Sequence, residues 1–465
     1  MRPRTPPAFD EVRMLAWNIL QRIERSRSFA DFLFESTFSK NPHLRPLDRA
    51  FIVELVLGTL RWQKRLDSVI HRVAKSPGKK IDSRVLHLLR LGAYQILFMS
   101  RVPHAAAVNE SVRLAKSIFK NEKISGFTNA ILRSIAGSKY REDFPPFASH
   151  PVEYLTEALS HPRWMVECWV KEFGPEMARK ICAANNSRPP FTVRVNTLKI
   201  SRVALQERFA AGGIKSTPTS FSPEGLILQE SPPLLDEPLF QSGFYFVQDE
   251  ASQIISHLLS AQPVERVLDA CAAPGGKSTH LAQLMENRGQ IIALDLYGPR
   301  IDQIRQNCQR MGISIVQAFR ADATKPLPFS QQLTFDRILV DAPCTGLGIL
   351  HRHPEAKWRQ EPEDALRLCQ LQVAILENVS SCLKPGGVLV YSTCTMTQEE
   401  NDGVVDSFLL GHADFSVEDL HRLVPNSWHP LIDEKGFLRT YPEMIVTTED
   451  SRMDGFFAVR MRKKQ

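Results

Sequence analysis

The sequence predicts a multidomain chain of α and α/β class: an all-helical first third, a small α+β module, and a final domain built on a parallel sheet between layers of helices. Three observations carry this expectation. Apolar residues recur at steps of three and four through the first 140 residues, the period of an amphipathic helix. From about residue 264 onward, short apolar runs alternate with amphipathic segments, the pattern of strands joined by crossover helices. Between these regions helical and strand-like patterns mix, and 465 residues suit about three domains.

In EVRMLAWNILQRIERS, the residues Val12, Leu15, Ala16, Ile19, Leu20 and Ile23 share one helical face. Similar stripes follow in RAFIVELVLGTLRW, SRVLHLLRLGAYQILFM and AAVNESVRLAKSIF, and loops containing Pro46, Pro77-Gly78 and Pro103 separate them. This region is expected to span 1–140, with basic residues such as Arg61, Lys64, Arg65, Lys79 and Lys80 on surfaces and loops. REDFPPFASHP (141–151) reads as a linker. The small module (152–250) opens with the helical pattern of HPRWMVECWVKEFGPEMARKICAANN. PFTVRVNTLK then predicts a strand with valines and basic residues on opposite faces, and GLILQ and GFYFVQ predict further short strands. The last domain (251–465) carries its strands in RVLDA, QIIALD, SIVQAF, FDRILVDAP and GVLVYSTC. Sheets of this kind bind ligands beyond the carboxyl ends of their strands.

Composition narrows the classes of function. With 43% hydrophobic and 23% charged residues, the chain is ordinary for a soluble globular protein. MRPRTPPAFD lacks the apolar run of a signal peptide, and no stretch approaches the ~20 apolar residues of a membrane span. The eight cysteines include no CxxC pair, which argues against a zinc site or disulfide framework and for a reducing compartment. The expectation is a cytoplasmic monomer with no metal and no membrane association. The net charge of +7 conceals a division: residues 1–140 hold 25 Lys+Arg against 11 Asp+Glu, and the remainder 33 against 40. A basic module joined to an acidic one suggests that the first third handles a polyanion.

VLDACAAPGGKSTHLA places a strand, a loop with Gly275-Gly276 and a helix beginning near Ser278. GGKST invites a phosphate-loop reading, but Cys271 stands where that motif needs its first glycine. GxGxxG spacing is absent too, leaving a close turn able to admit a nucleoside. Asp295 ends the second strand, placed to accept hydrogen bonds from two ribose hydroxyls. Asp322 lies just past the third, where a carboxylate could receive an exocyclic adenine amino group. Each acid alone could be a helix cap or a solvated loop residue. Acids at successive strand ends favour a nucleoside cofactor.

DAPCTG (341–346) ends the fourth strand with Asp341, Pro343 and Cys344, and YSTC ends the fifth with Cys394. A cysteine closing a buried strand is by itself core filling. Two cysteines at neighbouring strand ends beside a nucleoside site point instead to methylation of carbon 5 of cytosine. That carbon is too electron-poor to attack a methyl donor unaided, and a thiolate adding to carbon 6 makes it carbanion-like. Cysteine combines the nucleophilicity for addition with the ability to leave afterwards. Spacing does not say which of the two thiols attacks. GILHRHPEAKWR (348–359), with His351, Arg352, His353, Lys357, Trp358 and Arg359, reads as a basic, aromatic loop suited to phosphate contact and base stacking. Cys182, Cys308, Cys369 and Cys382 read as structural.

DACAAPGGKSTHLA, DAPCTG, YSTCT and DGFFAVRMRK together resemble the RNA cytosine-5 methyltransferases, and RMLAWNIL through FTNAILRSI resembles the NusB-like RNA-binding domain. The combination is similar to the bacterial 16S ribosomal RNA cytosine-5 methyltransferases of the Sun or Fmu family. That resemblance implies S-adenosyl-L-methionine as cofactor, bound by Cys271, Ala272, Ala273, Pro274, Gly275, Gly276 and Lys277 with Asp295, Asp322 and Asp341. It implies Cys394 as the nucleophile, Cys344 as an aid to product release, and RNA of the small ribosomal subunit as partner, with Arg352, His353, Lys357 and Arg359 as expected RNA contacts. It also implies a NusB-like domain over 1–140, an RNA-recognition module over 152–250 and a Rossmann-like methyltransferase domain over 251–465. Thr395 departs from the serine expected in many members. A NusB-like binding protein with a degenerate scaffold would lack a cysteine or the cofactor loop. An amino-directed methyltransferase would need no thiol. Another RNA target, such as tRNA, stays open.

Overall fold

In a computed structural model of the chain, residues 9–26, 29–74, 81–137, 143–232, 234, 237–327, 334–444 and 452–465 are described. Lys79, Lys80, the Pro77-Gly78 loop and the first residues of the 141–151 stretch lie outside them. Contacts divide the chain into two units, Met1–Arg188 with Leu350–Gln360, and Pro189–Ile349 with Glu361–Gln465.

The first unit is helical: α1 (Phe9–Ser26), α2 (Ala30–Lys40), α3 (Pro46–Arg61), α4 (Gln63–Val73), α5 (Ser83–Phe98), α6 (His104–Phe119) and α7 (Glu122–Ala136), then α8 (Pro151–Glu157), α9 (Arg163–Phe173) and α10 (Pro175–Asn185). The stripe on α1 buries Val12, Ala16, Ile19, Leu20 and Ile23 against Ile52, Leu55, Leu88 and Leu89. Pro46 is not in a loop but opens α3, where a missing N–H is harmless. Asp82 caps α5 by accepting from the amides of Arg84 and Val85. Gly58 lets α3 meet α5 closely, since a Cβ there would lie 2.0 Å from the Tyr94 ring. The helical start of the expected small module packs with this unit, α8 against α4, and the division by contacts falls at Arg188.

The basic residues expected on the surface of this unit are partly internal. Arg61 is buried and donates to the His351 carbonyl. Arg65 lies over the rings of Trp62, Phe98 and Phe144 and donates to Ala158 O. Long cationic side chains bury their stems and planes where carbonyls or aromatic faces receive the charge.

The second unit contains two sheets. β1 (Phe191–Val195), β2 (Ser216–Pro218), β3 (Gly225–Leu228) and β4 (Tyr245–Val247) form an antiparallel sheet in the order β2-β3-β1-β4, accompanied by α11 (Arg202–Ala211) and α12 (Pro238–Gln241). The alternation in PFTVRVNTLK does not leave a solvated basic face. Arg194 is fully buried, donating to Gly276 O at 2.6 Å and Thr279 Oγ1 at 2.9 Å and lying over the Phe246 ring. Burial pushes its pKa down to about 9. The polar face of this strand is covered by a second layer, so both faces are internal.

That second layer begins with α13 (Glu250–Leu259) and continues with β5 (Arg266–Asp269), α14 (Gly276–Leu284), β6 (Gln290–Asp295), α15 (Gly298–Met311) and β7 (Val316–Arg320). It ends with β8 (Phe335–Asp341), α16 (Pro362–Ser380), β9 (Leu383–Thr393), α17 (Asp402–Gly411), β10 (Phe415–Val417), β11 (Leu438–Arg439) and β12 (Phe457–Lys463). The sheet order is β10-β12-β9-β8-β5-β6-β7, with β11 paired to β12. β5 through β9 run parallel, and β12 joins β9 antiparallel. Alternate residues divide between two cores: Val267, Ile291, Leu339 and Val390 face α13, α14 and α15, and Leu268, Ile292, Ile338 and Leu389 face α16 and α17. Coverage on both faces is why these strands read as continuous apolar runs.

Candidate functional site

The strand order reverses between β5 and β8, which neighbour each other though β6 and β7 intervene in the chain. At such a switch point the loops leaving adjacent strands diverge and open a crevice at their carboxyl ends. The Cys271–Lys277 loop leaves β5 there. Its tight turn needs Gly275 at φ +98°, and a Cβ on that residue would press to 3.3 Å from Ile304 Cα. Lys277 Nζ reaches Asp341 Oδ2 at 2.6 Å, and Ser392 Oγ donates to Asp341 Oδ1 at 2.8 Å. The acid ending β8 is therefore held between the cofactor-side loop and β9.

Asp295 ends β6, nearly buried. Its Oδ1 accepts from Tyr297 N at 2.9 Å, and its Oδ2 lies 3.9 Å from Arg300. Asp322 lies past β7 and accepts from the amide and hydroxyl of Thr324, which with Lys325 hold its pKa below the ordinary carboxylate value. Asp269, at the end of β5, is a site residue the sequence reading missed, although it stands inside the quoted VLDACAAPGG. It is fully buried, accepts from Ser278 Oγ at 2.6 Å on one oxygen, and has no hydrogen-bond partner on the other. Burial pushes its pKa up to about 7. A turn open to a ligand, a buried carboxylate oxygen without a partner, and acids after β5, β6, β7 and β8 fit a nucleoside with several hydroxyl and amino donors.

The two cysteines meet. Cys344 follows β8, Cys394 follows β9, both half-buried, and their sulfurs are 3.3 Å apart. The hydrogen bond to the Cys394 sulfur, aided by burial, pushes the Cys344 thiol well above its ordinary value, so Cys344 holds its proton. Behind them stands Glu400, which the sequence reading also missed. Its buried carboxylate accepts from Thr345 N at 2.9 Å, Thr345 Oγ1 at 2.5 Å, Thr397 Oγ1 at 3.0 Å and Gln372 Nε2 at 3.0 Å. Thr345 Oγ1 and Thr395 Oγ1 are 2.8 Å apart, so the residues following the two cysteines are bonded to each other, and Thr345 is bonded to the acid as well. Burial raises the Glu400 pKa. The only sequence signal for Glu400 is an acid a few residues past YSTC.

The basic, aromatic segment after the Pro-Cys motif differs from expectation. Residues 350–360 belong to the helical unit. Lys357 is fully buried, its ammonium donating to Arg61 O, Ser160 O and Asn186 Oδ1. Trp358 Nε1 donates to Leu60 O at 2.7 Å. Both satisfy carbonyls at the end of α3, where a helix leaves acceptors unpaired and favours positive charge. Lys357 is thus not an RNA-facing cation, and Trp358 is not a free stacking platform. Arg352, His353 and Arg359 keep partial exposure. Elsewhere in this unit a cleft of about 660 Å³ is lined by Arg22, Arg25, Lys40 and Arg84 with Asn18 and Asn41. Among the described residues no helix is long and apolar enough to cross a membrane.

This fold and crevice are those of an S-adenosylmethionine-dependent RNA methyltransferase, and comparison with known proteins agrees. Residues 256–462 match the family described as 16S rRNA methyltransferase RsmB/F, residues 10–137 match the NusB family, and residues 161–234 match the RsmF/B-like ferredoxin-like domain. The probable ribosomal RNA small subunit methyltransferase B of Bacillus subtilis is 37% identical, covering 97% of this chain and 99% of its own length. The ribosomal RNA small subunit methyltransferase B of Pseudomonas syringae is 36% identical over 78% of this chain and 79% of its own. The crystal structure of a methyltransferase homologue from Pyrococcus horikoshii is 31% identical, with a TM-score of 0.56, over 67% of this chain and 98% of that one. The chain belongs to the RsmB/F family of 16S rRNA methyltransferases.

Proposed function

We propose that this chain methylates carbon 5 of a cytosine in 16S ribosomal RNA, with Cys394 as nucleophile and Cys344 as an aid to release. The observation that carries the reading is the 3.3 Å approach of the two sulfurs at the ends of adjacent strands. A lone-pair methylation of an amino group has no use for either thiol. In the first step the Cys394 thiolate adds to carbon 6 of the base, and the displaced electron pair makes carbon 5 nucleophilic. S-adenosylmethionine, when bound, supplies the methyl of its sulfonium group. Once carbon 5 carries the methyl, a base takes its proton, the electron pair of that carbon–hydrogen bond re-forms the double bond to carbon 6, and the carbon–sulfur bond breaks to release the Cys394 thiolate. Beside the attacking sulfur Cys344 would have a proton to place during elimination, its thiol being pushed above the ordinary value by the hydrogen bond to Cys394 and by burial. The implied choice of nucleophile in the RNA cytosine-5 enzymes points the same way.

Cys271, Ala272, Ala273, Pro274, Gly275, Gly276 and Lys277 would hold the cofactor together with Asp295, Asp322 and Asp341. Asp295 would accept from ribose hydroxyls, Asp322 would receive the adenine amino group, and Lys277 would fix Asp341. The helical unit would bind RNA phosphates through its basic cleft and through Arg352, His353 and Arg359. The target cytosine must be unpaired or turned out of its stack for a thiol to reach carbon 6. Relatives named for the small ribosomal subunit support 16S rRNA as the substrate. Bisulfite sequencing of 16S rRNA, with and without incubation with the protein and S-adenosylmethionine, tests the reading. A new 5-methylcytosine is expected, and methylation confined to another base or another RNA would refute it.

A further inference from the structure

Glu224, His257 and His280 form a cluster that methyl transfer does not use. Glu224 precedes β3, His257 lies in the last turn of α13, and His280 lies in α14, the helix that follows the cofactor loop. One ligand atom from each residue falls within 4.8 Å of the others. Glu224 Oε2 is 2.9 Å from His257 Nε2 and 3.7 Å from His280 Nε2. His280 is fully buried, and neither ring nitrogen has a hydrogen-bond partner. A buried polar group left this way calls for a ligand of some kind.

The spacing suits an ion. Tetrahedral Zn²⁺ holds nitrogen and oxygen ligands at about 2.0–2.1 Å, which sets those ligands roughly 3.4 Å from one another. The two distances to Glu224 bracket that value. Two imidazole nitrogens and one carboxylate oxygen are a donor set for a borderline divalent cation and not for Ca²⁺ or Mg²⁺, which prefer oxygen alone. We propose that Glu224, His257 and His280 bind a zinc-class divalent ion that staples the four-stranded sheet to α13 and α14. The fourth position is left to water. Because α14 begins at Gly276, the ion anchors the helix that carries the cofactor loop. Such an ion departs from the expectation of no metal, which rests on the missing CxxC pairs and so on thiolate ligands alone.

The test uses the full chain with Cys344→Ser and Cys394→Ser, so that this pair of adjacent sulfurs cannot compete for metal. After stripping with a chelator, the protein is titrated with Zn²⁺ against a chromophoric chelator, and separately with Co²⁺. One equivalent of Zn²⁺ is expected to bind and to raise the melting temperature. Co²⁺ should give visible bands without a sulfur-to-cobalt charge-transfer band. Glu224→Gln and His257→Ala should each weaken Zn²⁺ binding by at least about 100-fold and abolish the melting shift. Absence of saturable binding, unchanged affinity in Glu224→Gln, or a sulfur charge-transfer band would overturn the proposal. Should His257→Ala fail to fold, the isosteric Glu224→Gln decides alone.

Discussion

Replacing Glu400 with alanine removes the acceptor that ties the loop after Cys344 to the loop after Cys394. Four hydrogen bonds end on that carboxylate. Not all would be missed equally. Gln372 Nε2 keeps Pro343 O as a partner at 2.9 Å, and the Thr345 hydroxyl keeps Thr395 Oγ1. The Thr345 amide, on a residue only 2% exposed, loses the carboxylate it donates to, at a cost of about 1–3 kcal/mol. Glu400→Gln retains a carbonyl oxygen for that amide and should cost less than about 1 kcal/mol. Thr345 is the residue after Cys344, so a loosened amide shifts the thiol pair. A displacement of about 1 Å lowers a positioned reaction by roughly 100-fold. Single-turnover transfer of labelled methyl to 16S rRNA measures this, with calorimetric S-adenosylmethionine affinity as the control. Glu400→Ala should slow transfer at least tenfold with cofactor affinity unchanged, and Glu400→Gln should recover most of the rate. A folded Glu400→Ala protein with the parent rate would show that this acid does not position the cysteines. Equal loss in both variants would show that its charge, and not its hydrogen bonding, matters.

Asp295→Ala should weaken S-adenosylmethionine binding by roughly 10- to 150-fold in calorimetry, the equivalent of one charged hydrogen bond of about 1.5–3 kcal/mol; unchanged affinity in a folded variant would remove Asp295 from the site. His87 is buried beside Gln21, and burial pushes its pKa down to about 3 from an ordinary 6.5. Its folded value lies below the unfolded one, so the stability it supports is full above pH 6.5 and falls as pH drops toward 3. At pH 5 the loss is about 2 kcal/mol; denaturation of the parent and His87→Gln at pH 7 and pH 5 should differ by that amount, and a His87 that titrates near its ordinary value would contradict it.

The methyltransferase sheet was legible because its parallel strands are buried on both faces, and each apolar run ends near an acid or a cysteine that marks its carboxyl end. The turn between β5 and α14 was legible because Gly275-Gly276 falls between a strand pattern and a helix pattern. The burial of Arg194 was not legible: Val-Arg-Val alternation places it opposite the valines, and the sequence does not show that α14 supplies acceptors to the arginine. Lys357 and Trp358 misled in the same way, since the carbonyls they satisfy belong to residues some three hundred positions earlier or, for Ser160, about two hundred. β2 escaped notice because it is three residues long, ends in Pro218 and lies at a sheet edge. Glu400 was missed because its partners come from the loops after two different strands and from α16. The Glu224, His257 and His280 cluster draws on three separate elements, so no local spacing announces it.

The central claim is that Cys394 attacks and Cys344 releases, and trapping the covalent protein–RNA species tests it most directly. Parent protein, Cys344→Ala, Cys394→Ala and the double variant are incubated with the same 16S rRNA and S-adenosylmethionine, then resolved by denaturing electrophoresis. Cys344→Ala should attack and methylate, then stall, accumulating an adduct that survives denaturation. Cys394→Ala and the double variant should show neither adduct nor methylation, while the parent turns over. An adduct retained in Cys394→Ala and lost in Cys344→Ala would assign the nucleophile to the other cysteine and contradict the account.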